Sequence, residues 1–519
     1  RPEDREPFDL ILYKLGQSDI FFTTQMVNKD TRRELEIKYR SNSLLRVYKA
    51  ISEMIDSWIS DIEDPESRLS DLDNLWSCVT KGTYFARIIL GDDLDPNEVF
   101  DRLNDIGIKL TNHELLRNFL LQNASSNRNA PNHATIINQA YSLCLKDFDE
   151  KFPKNRDIDV YILAIAQIID PSAKGRTAFS VLKKYYSKQV LIRNEKSGGQ
   201  SELRQDFVDA SEELTQYQPI FLAIRDGDLG ESVFTNSPLS KTHQKKVKSA
   251  IQRLHAFSVD EATYPYLLQL IKGMIEGKVE INEGLNCLKL VETYLIRRGI
   301  YGAFRKGLNS FSGLWDRSKK VSSYYTTLYA TLTDDELDSS DKFVLDKQLK
   351  EFITGKSDNT AEGIYKKNKI KRFLLWEYEL SLNGRNQKFM PDTYEIDHVI
   401  PQQITKSDLE KWPGLNWEDY RTWKHKWANL MPLTKAENIY KSNKTWAECR
   451  EELTDDQGVA KSLCQSASEC LNQEKWNKTK LESRASKIYD FVIEKWEIPE
   501  EPKDLKKIKQ KLVSLKENS

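Results

Sequence analysis

Apolar residues recur along most of the chain at three- and four-residue intervals, the spacing of helices with one buried face. In "NSLLRVYKAISEMIDSWISDI" (42–62), Leu45, Tyr48, Ile51, Ile55 and Ile59 fall on one stripe. Similar stripes run through 157–169, 176–192, 205–224, 243–257, 262–276 and 285–298. Polar or glycine-rich breaks separate them at 123–133, 194–202, 225–232 and 355–363. The period changes near 393–433, where "EIDHVIP" and "ANLMPL" read as two short strands. Behind the second, Thr434 and Glu437 form a capping box that predicts a helix over 435–447. The pattern therefore predicts a mainly α fold: a helical multi-domain body with a small strand–strand–helix module near the C-terminus.

Length and charge bound this picture. The chain has 519 residues, more than one core usually supports, so two to four domains are expected. Net charge is −1, so any basic surface that meets nucleic acid must be local. The longest apolar run, "VYILAIAQII" (160–169), is too short for a membrane span and suits a buried helix, so no membrane partner is expected. Six scattered cysteines (Cys78, Cys144, Cys287, Cys449, Cys464, Cys470) form no CxxC pair and predict reduced thiols in a cytoplasmic protein. No signal peptide is visible, and because the chain opens at Arg1 rather than Met, upstream residues are expected to be missing. The acidic loop "RDGDLGES" (225–232) lacks the ligand order of a calcium loop and reads as solvated.

Candidate chemistry gathers around the first strand. Asp392, Glu395 and Asp397 surround His398 in a chain with six histidines. A half-buried strand with its polar residues in water is the plain reading. The sharper one is a metal site with a base beside it. Hydrolysis of a phosphodiester needs a neutral imidazole to take a proton from water and a hard cation to offset growing charge. Aspartate and amide oxygens suit magnesium. Within "LEKWPGLNWEDYRTWKHKW" (409–427), Trp423 and Trp427 are four apart and would share a helix face. These rings read either as a base-stacking element or, preferably, as the module's own core. His425 is a competing base, though it lacks an adjacent carboxylate. Just upstream, "YKKNKIKR" (365–372) offers Lys366, Lys367, Lys369, Lys371 and Arg372 to a phosphate backbone. The cluster at 241–248 adds others, and the tail 503–512 reads more readily as a solvated helix face.

"EIDHVIPQ", with Asn429 and then Asn438 nine residues later, resembles the HNH (ββα-metal) nuclease motif, in the variant of CRISPR effector nucleases and GmrSD-type restriction enzymes. The resemblance implies that Asp397 and Asn438 ligate Mg²⁺ or Mn²⁺ and that His398 is the general base. It also implies that Asn429 fixes the loop carrying the histidine. Glu395 and Lys441 would be auxiliary. The long interval between His398 and Asn429 departs from the motif. "NEVFDRLNDIGIKLTNHELLRNFLLQN" (97–123), "ETYLIRRGIYG" (292–302) and the helix at 476–496 are similar to other parts of GmrSD-type proteins, which are related to SspE-like defence nucleases. That implies residues 1–125 as the C-terminal part of a ParB-like N-terminal domain and 126–355 as a helical linking domain. Residues 356–500 would be the HNH nuclease domain with C-terminal helices, and 501–519 a basic tail. The family's nucleotide-hydrolysing "DGQQR" motif is missing, which assigns that activity to an upstream domain or a partner subunit. Asn104 and Gly107 read as a turn rather than a nucleotide contact. The implied function is a metal-dependent DNA endonuclease in restriction or anti-phage defence against modified DNA. The alternative is a non-catalytic sensor of DNA modification, or an interaction scaffold, carrying a degenerate nuclease module. RNA also stays open as a substrate.

Overall fold

The structure, a computed structural model, describes residues 42–60, 62, 64–81, 110–124, 133–152, 155–190, 203–302, 311–333, 343–356, 364–365, 368–383, 388–412, 414–442 and 444–517. It is mainly helical. The chain divides into two compact units, residues 1–99 and 100–519. Asn104, Gly107 and residues 1–40 lie outside the described residues.

In the first unit, α1 (Ser43–Ser60) and α2 (Pro65–Lys81) follow one another. Leu45, Tyr48, Ile55 and Ile59 of α1 are half-buried, whereas Ile51 is exposed. At 100° per residue, Ile51 lies about 70° from the centre of that stripe, so the apolar face is narrower than the sequence suggested.

The second unit carries the large core. The 160–169 run lies in α3 (Asn155–Ile169), with Tyr161, Ile162, Ala164, Ile165 and Ala166 buried. No helix among the described residues is long and apolar enough to cross a membrane. The 205–224 stripe is two helices, Gln205–Thr215 and Gln218–Asp226. Pro219 explains the break: it has no N–H to donate and starts a helix well but cannot continue one. Further on come α4 (Lys241–Phe257), the nearly all-buried α5 (Tyr264–Ile275) and α6 (Ile281–Tyr301). Gly302, at φ 86, ends α6 in the left-handed conformation that glycine adopts freely.

Buried charges tie α6 to α4 and to the C-terminal half of the unit. On α4, the Arg253 guanidinium donates to Glu292 of α6 at 2.6 Å and to Glu377 at 2.9 Å, on α7 (Asn368–Asn383). The fully buried Arg297 of α6 donates to the carbonyls of Val344 (2.8 Å) and Trp496 (2.9 Å) and pairs with Asp346. Removing Arg253 would leave the buried Glu377 carboxylate short of a partner, and removing Asp346 would take the carboxylate from the fully buried Arg297, so these contacts fix where α7 and the chain near Trp496 sit.

Beyond α7, β1 (Tyr394–His398) pairs antiparallel with β2 (Leu430–Thr434) in the register Glu395↔Leu433, Asp397↔Met431, His398↔Leu430. Between them runs α8 (Trp417–Trp423), and α9 (Lys435–Lys441) comes directly after β2. A two-stranded sheet alone is marginal. Here two arginines brace it. Arg372 of α7 donates to the carbonyls of Tyr394 (2.9 Å), Pro391 (2.8 Å) and Met390 (3.2 Å). Arg484, on α12 (Lys478–Lys495), donates to Ala428 and Leu430, both at 2.8 Å, and to Ser466 on α11 (Gln465–Leu471) at 3.1 Å.

Two expectations need correction. The capping box of Thr434 and Glu437 forms, but α9 stops at Lys441 because Ser442 takes φ 42. A second capping box, Thr445 with Glu448, then starts α10 (Trp446–Leu453). Trp423 and Trp427 do not share a helix: α8 ends at Trp423, and Trp427 opens a separate 3₁₀ turn. Trp412, Trp423 and Trp427 are buried in the core, while Trp417 is half-exposed.

Candidate active site

Strand and helix periods bring the polar residues together. Glu395 and Asp397, two apart on β1, share a face, as do Asn438 and Lys441, three apart on α9. The faces meet: the Asn438 amide nitrogen donates to Glu395 Oε2 at 2.6 Å, and Lys441 Nζ lies 2.7 Å from Asp397 Oδ2. Lys441 is 2% exposed, so its ammonium depends on that carboxylate for the solvation that water would otherwise supply.

Asn429 governs the turn after His398. The Val399 N–H donates to the Asn429 carbonyl at 2.8 Å, continuing the ladder past β1. The Asn429 side chain then accepts from the Ile400 N–H (2.9 Å) and donates to the carbonyls of Ile400 and Lys424, both at 3.1 Å. It is fully buried, and each amide atom has a backbone partner.

His398 is 3% exposed. Its Nε2 lies 3.2 Å from His425 Nδ1. The Tyr365 ring packs on both imidazoles with centroids 4.4 Å away, nearly parallel to that of His425, and Lys371 Nζ sits 4.6 Å over the tyrosine. Burial first, and then the adjacent His425 and the ammonium groups of Lys441, Lys371 and Lys424, push the His398 imidazole down to about 3. It is therefore uncharged throughout the neutral range.

The basic run 365–372 disperses. Lys371 comes to Tyr365 beside His398. Lys369 is exposed, and its nearest charges are Arg225 and Asp226 rather than this site. Arg372 is spent on the strand carbonyls. Lys366 and Lys367 lie outside the described residues. The residues that sequence reasoning underrated are His425, Tyr365 and Lys424. No local signal marks them, because their meeting with His398 is set by the tertiary fold.

Among the described residues, no cluster of three or more His, Cys, Asp and Glu side chains is arranged for a metal. A site of one carboxylate and one amide is a smaller thing, and the donors fit a hard cation. Asp397 uses Oδ2 for Lys441, and Asn438 uses its amide nitrogen for Glu395; among the described residues, the remaining oxygen of each has no protein partner.

The unit carrying these groups is a strand–strand–helix element set in a mainly helical protein. Residues 347–491 match the family described as GmrSD restriction endonucleases, C-terminal domain, which places this segment in that family. The match leaves residues 1–346 and 492–519 uncovered. No curated protein and no solved structure matches the chain.

Proposed function

We propose that the chain is a divalent-metal-dependent HNH endonuclease that nicks or cleaves DNA in restriction or anti-phage defence, directed against modified DNA. What supports the reading is one arrangement inside the GmrSD-type segment: Asp397 and Asn438 presented on facing elements, next to a neutral, buried His398. Asp397 and Asn438 would hold Mg²⁺ or Mn²⁺, which when bound offsets negative charge on the phosphate and the departing oxygen.

The protein groups do the rest. If His398 Nε2–H donates to His425 Nδ1, the lone pair on His398 Nδ1 is left to take a proton from water. Asn429 keeps that imidazole in place by locking the turn behind it. Glu395 holds the Asn438 amide so that its oxygen is turned to the ligand role. Lys441, beside Asp397, adds positive charge where a phosphate would enter.

In this reading residues 356–500 are the nuclease domain, 1–125 and 126–355 are the flanking domains that the GmrSD resemblance implies, and an upstream domain or partner supplies nucleotide hydrolysis. Supercoiled plasmid incubated with protein and Mg²⁺ or Mn²⁺ should become relaxed or linear, and EDTA should prevent it. Intact supercoil in every metal would favour the non-catalytic sensor.

A further inference from the structure

An open cavity of about 530 Å³, within the range of about 300–1,000 Å³ common for small-molecule sites, lies beside Gln402 and Lys424. Its wall includes Gln402, Gln403, Trp417, Arg421 and Lys424. Two links join it to His398. Gln402 accepts from the hydroxyl of Tyr365 at 2.8 Å, the ring packed on both imidazoles, and Lys424 adds to the charge felt by His398. Its floor is braced, because the Tyr420 hydroxyl donates to the Gln402 carbonyl at 2.6 Å.

The wall chemistry is specific. Trp417 packs on Tyr420 with ring centroids 5.2 Å apart but is only partly buried, while Trp412, Trp423 and Trp427 are buried, so it is the tryptophan of this segment that keeps exposed surface and lines the cavity. Among the described residues neither Arg421 nor Lys424 meets a carboxylate. The Gln402 amide nitrogen and the whole Gln403 amide have no protein partner either. The acidic side chain in the wall, Asp408, accepts from the Thr405 hydroxyl at 2.6 Å and is paired with Lys411 at 3.1 Å. An aromatic face, two cations that among the described residues meet no carboxylate, the Gln403 amide and the Gln402 amide nitrogen match a base, its phosphate and its hydrogen-bonding edge.

We propose that this cavity takes one nucleotide of the substrate strand flanking the scissile phosphate: its base against Trp417, its edge read by Gln402 and Gln403, its phosphate on Arg421 and Lys424. The proposal rests on the nuclease reading and extends it to a substrate subsite. A base held there must leave its stack, which costs least in single-stranded or damaged DNA.

The test uses the full chain and a set of single-stranded oligonucleotides, each with one abasic position, scanned across the cleavage point. For the wild type, base loss at one position should lower kcat/KM about 5- to 150-fold, the range for one stacked base. Trp417→Ala should lose most of that position-specific penalty, and Trp417→Phe should keep much of it. Arg421→Ala should weaken binding to all the oligonucleotides and lower the salt slope by about one. Binding of the same set by anisotropy in EDTA separates the two readings. A lost cleavage activity with the abasic penalty still present in binding sinks the nuclease reading and leaves the pocket standing. Equal cleavage and binding across all abasic positions, or the same penalty in folded Trp417→Ala as in the wild type, overturns the pocket.

Discussion

Asn429→Ala removes a side chain whose three hydrogen bonds all reach backbone near His398. Ile400 is fully buried, so its N–H would lose its partner in a place water does not reach. An unsatisfied buried donor costs about 1–3 kcal/mol and each weakened carbonyl about 0.5–1.5, which sets the loss at about 2–6 kcal/mol. The same slackening lets His398 drift, and a displacement of about 1 Å in a reacting group can cost about 10²-fold in rate. Asn429→Asp sharpens the test. It keeps the acceptor for the Ile400 N–H, yet it turns a carboxylate toward the carbonyls of Ile400 and Lys424, so it should be at least as damaging as alanine. Thermal melting and plasmid cleavage, run side by side, give both readouts. An alanine variant that melts within about 0.5 kcal/mol of the parent and cuts at its rate would refute this account of the turn.

The same contacts carry further consequences. Lys441→Met removes the ammonium that touches Asp397, so the metal-free protein should melt lower while Mn²⁺ binds at least about tenfold tighter by titration calorimetry; unchanged affinity would remove Asp397 as a ligand. His425→Ala should lower kcat with little change in KM, and His425→Asn, whose Oδ1 can stand in for the imidazole Nδ1, should recover part of it; equal loss in both would discard the positioning role. Burial pushes the Lys426 ammonium down to about 8, and its Nζ faces the Phe352 ring at 3.3 Å. Below pH 8 both folded and unfolded chains carry that proton and the fold bears the full cost. Between pH 8 and about 10.5 the unfolded chain binds more proton, so stability rises with pH. Lys426→Met should therefore stabilise by about 1–2 kcal/mol at pH 7 and by little above pH 10.5, and a destabilised variant at pH 7 would contradict it.

Much of this architecture was legible in the sequence where the signal was local. Thr434 and Glu437 announce the junction of β2 and α9, and the alternation around Asp397 announces β1. The place where α9 ends was not legible: a serine at positive φ leaves little trace in sequence, although Thr445 and Glu448 already spelled a second helix start. Pro219 likewise marked a break inside an apolar stripe that periodicity alone ran through. The completeness of Asn429's hydrogen bonding depends on Lys424 and Ile400 arriving together, which no local pattern shows. His425 looked incidental because it has no carboxylate beside it. It reaches His398 only through α8 and the turn after it, and no window of sequence contains that closure. The basic run is harder to read for the opposite reason: adjacent cations on a helix point in different directions, so Lys371, Lys369 and Arg372 meet three separate surroundings.

The most direct measurement compares the 519-residue chain with its His398→Ala variant on supercoiled plasmid at saturating Mg²⁺ or Mn²⁺, with DNA binding tracked in parallel by anisotropy. The account predicts that the alanine variant binds DNA within about twofold of the parent and leaves the plasmid supercoiled. A variant that converts plasmid as fast as the parent would mean that the chemistry, wherever it resides, does not pass through this imidazole.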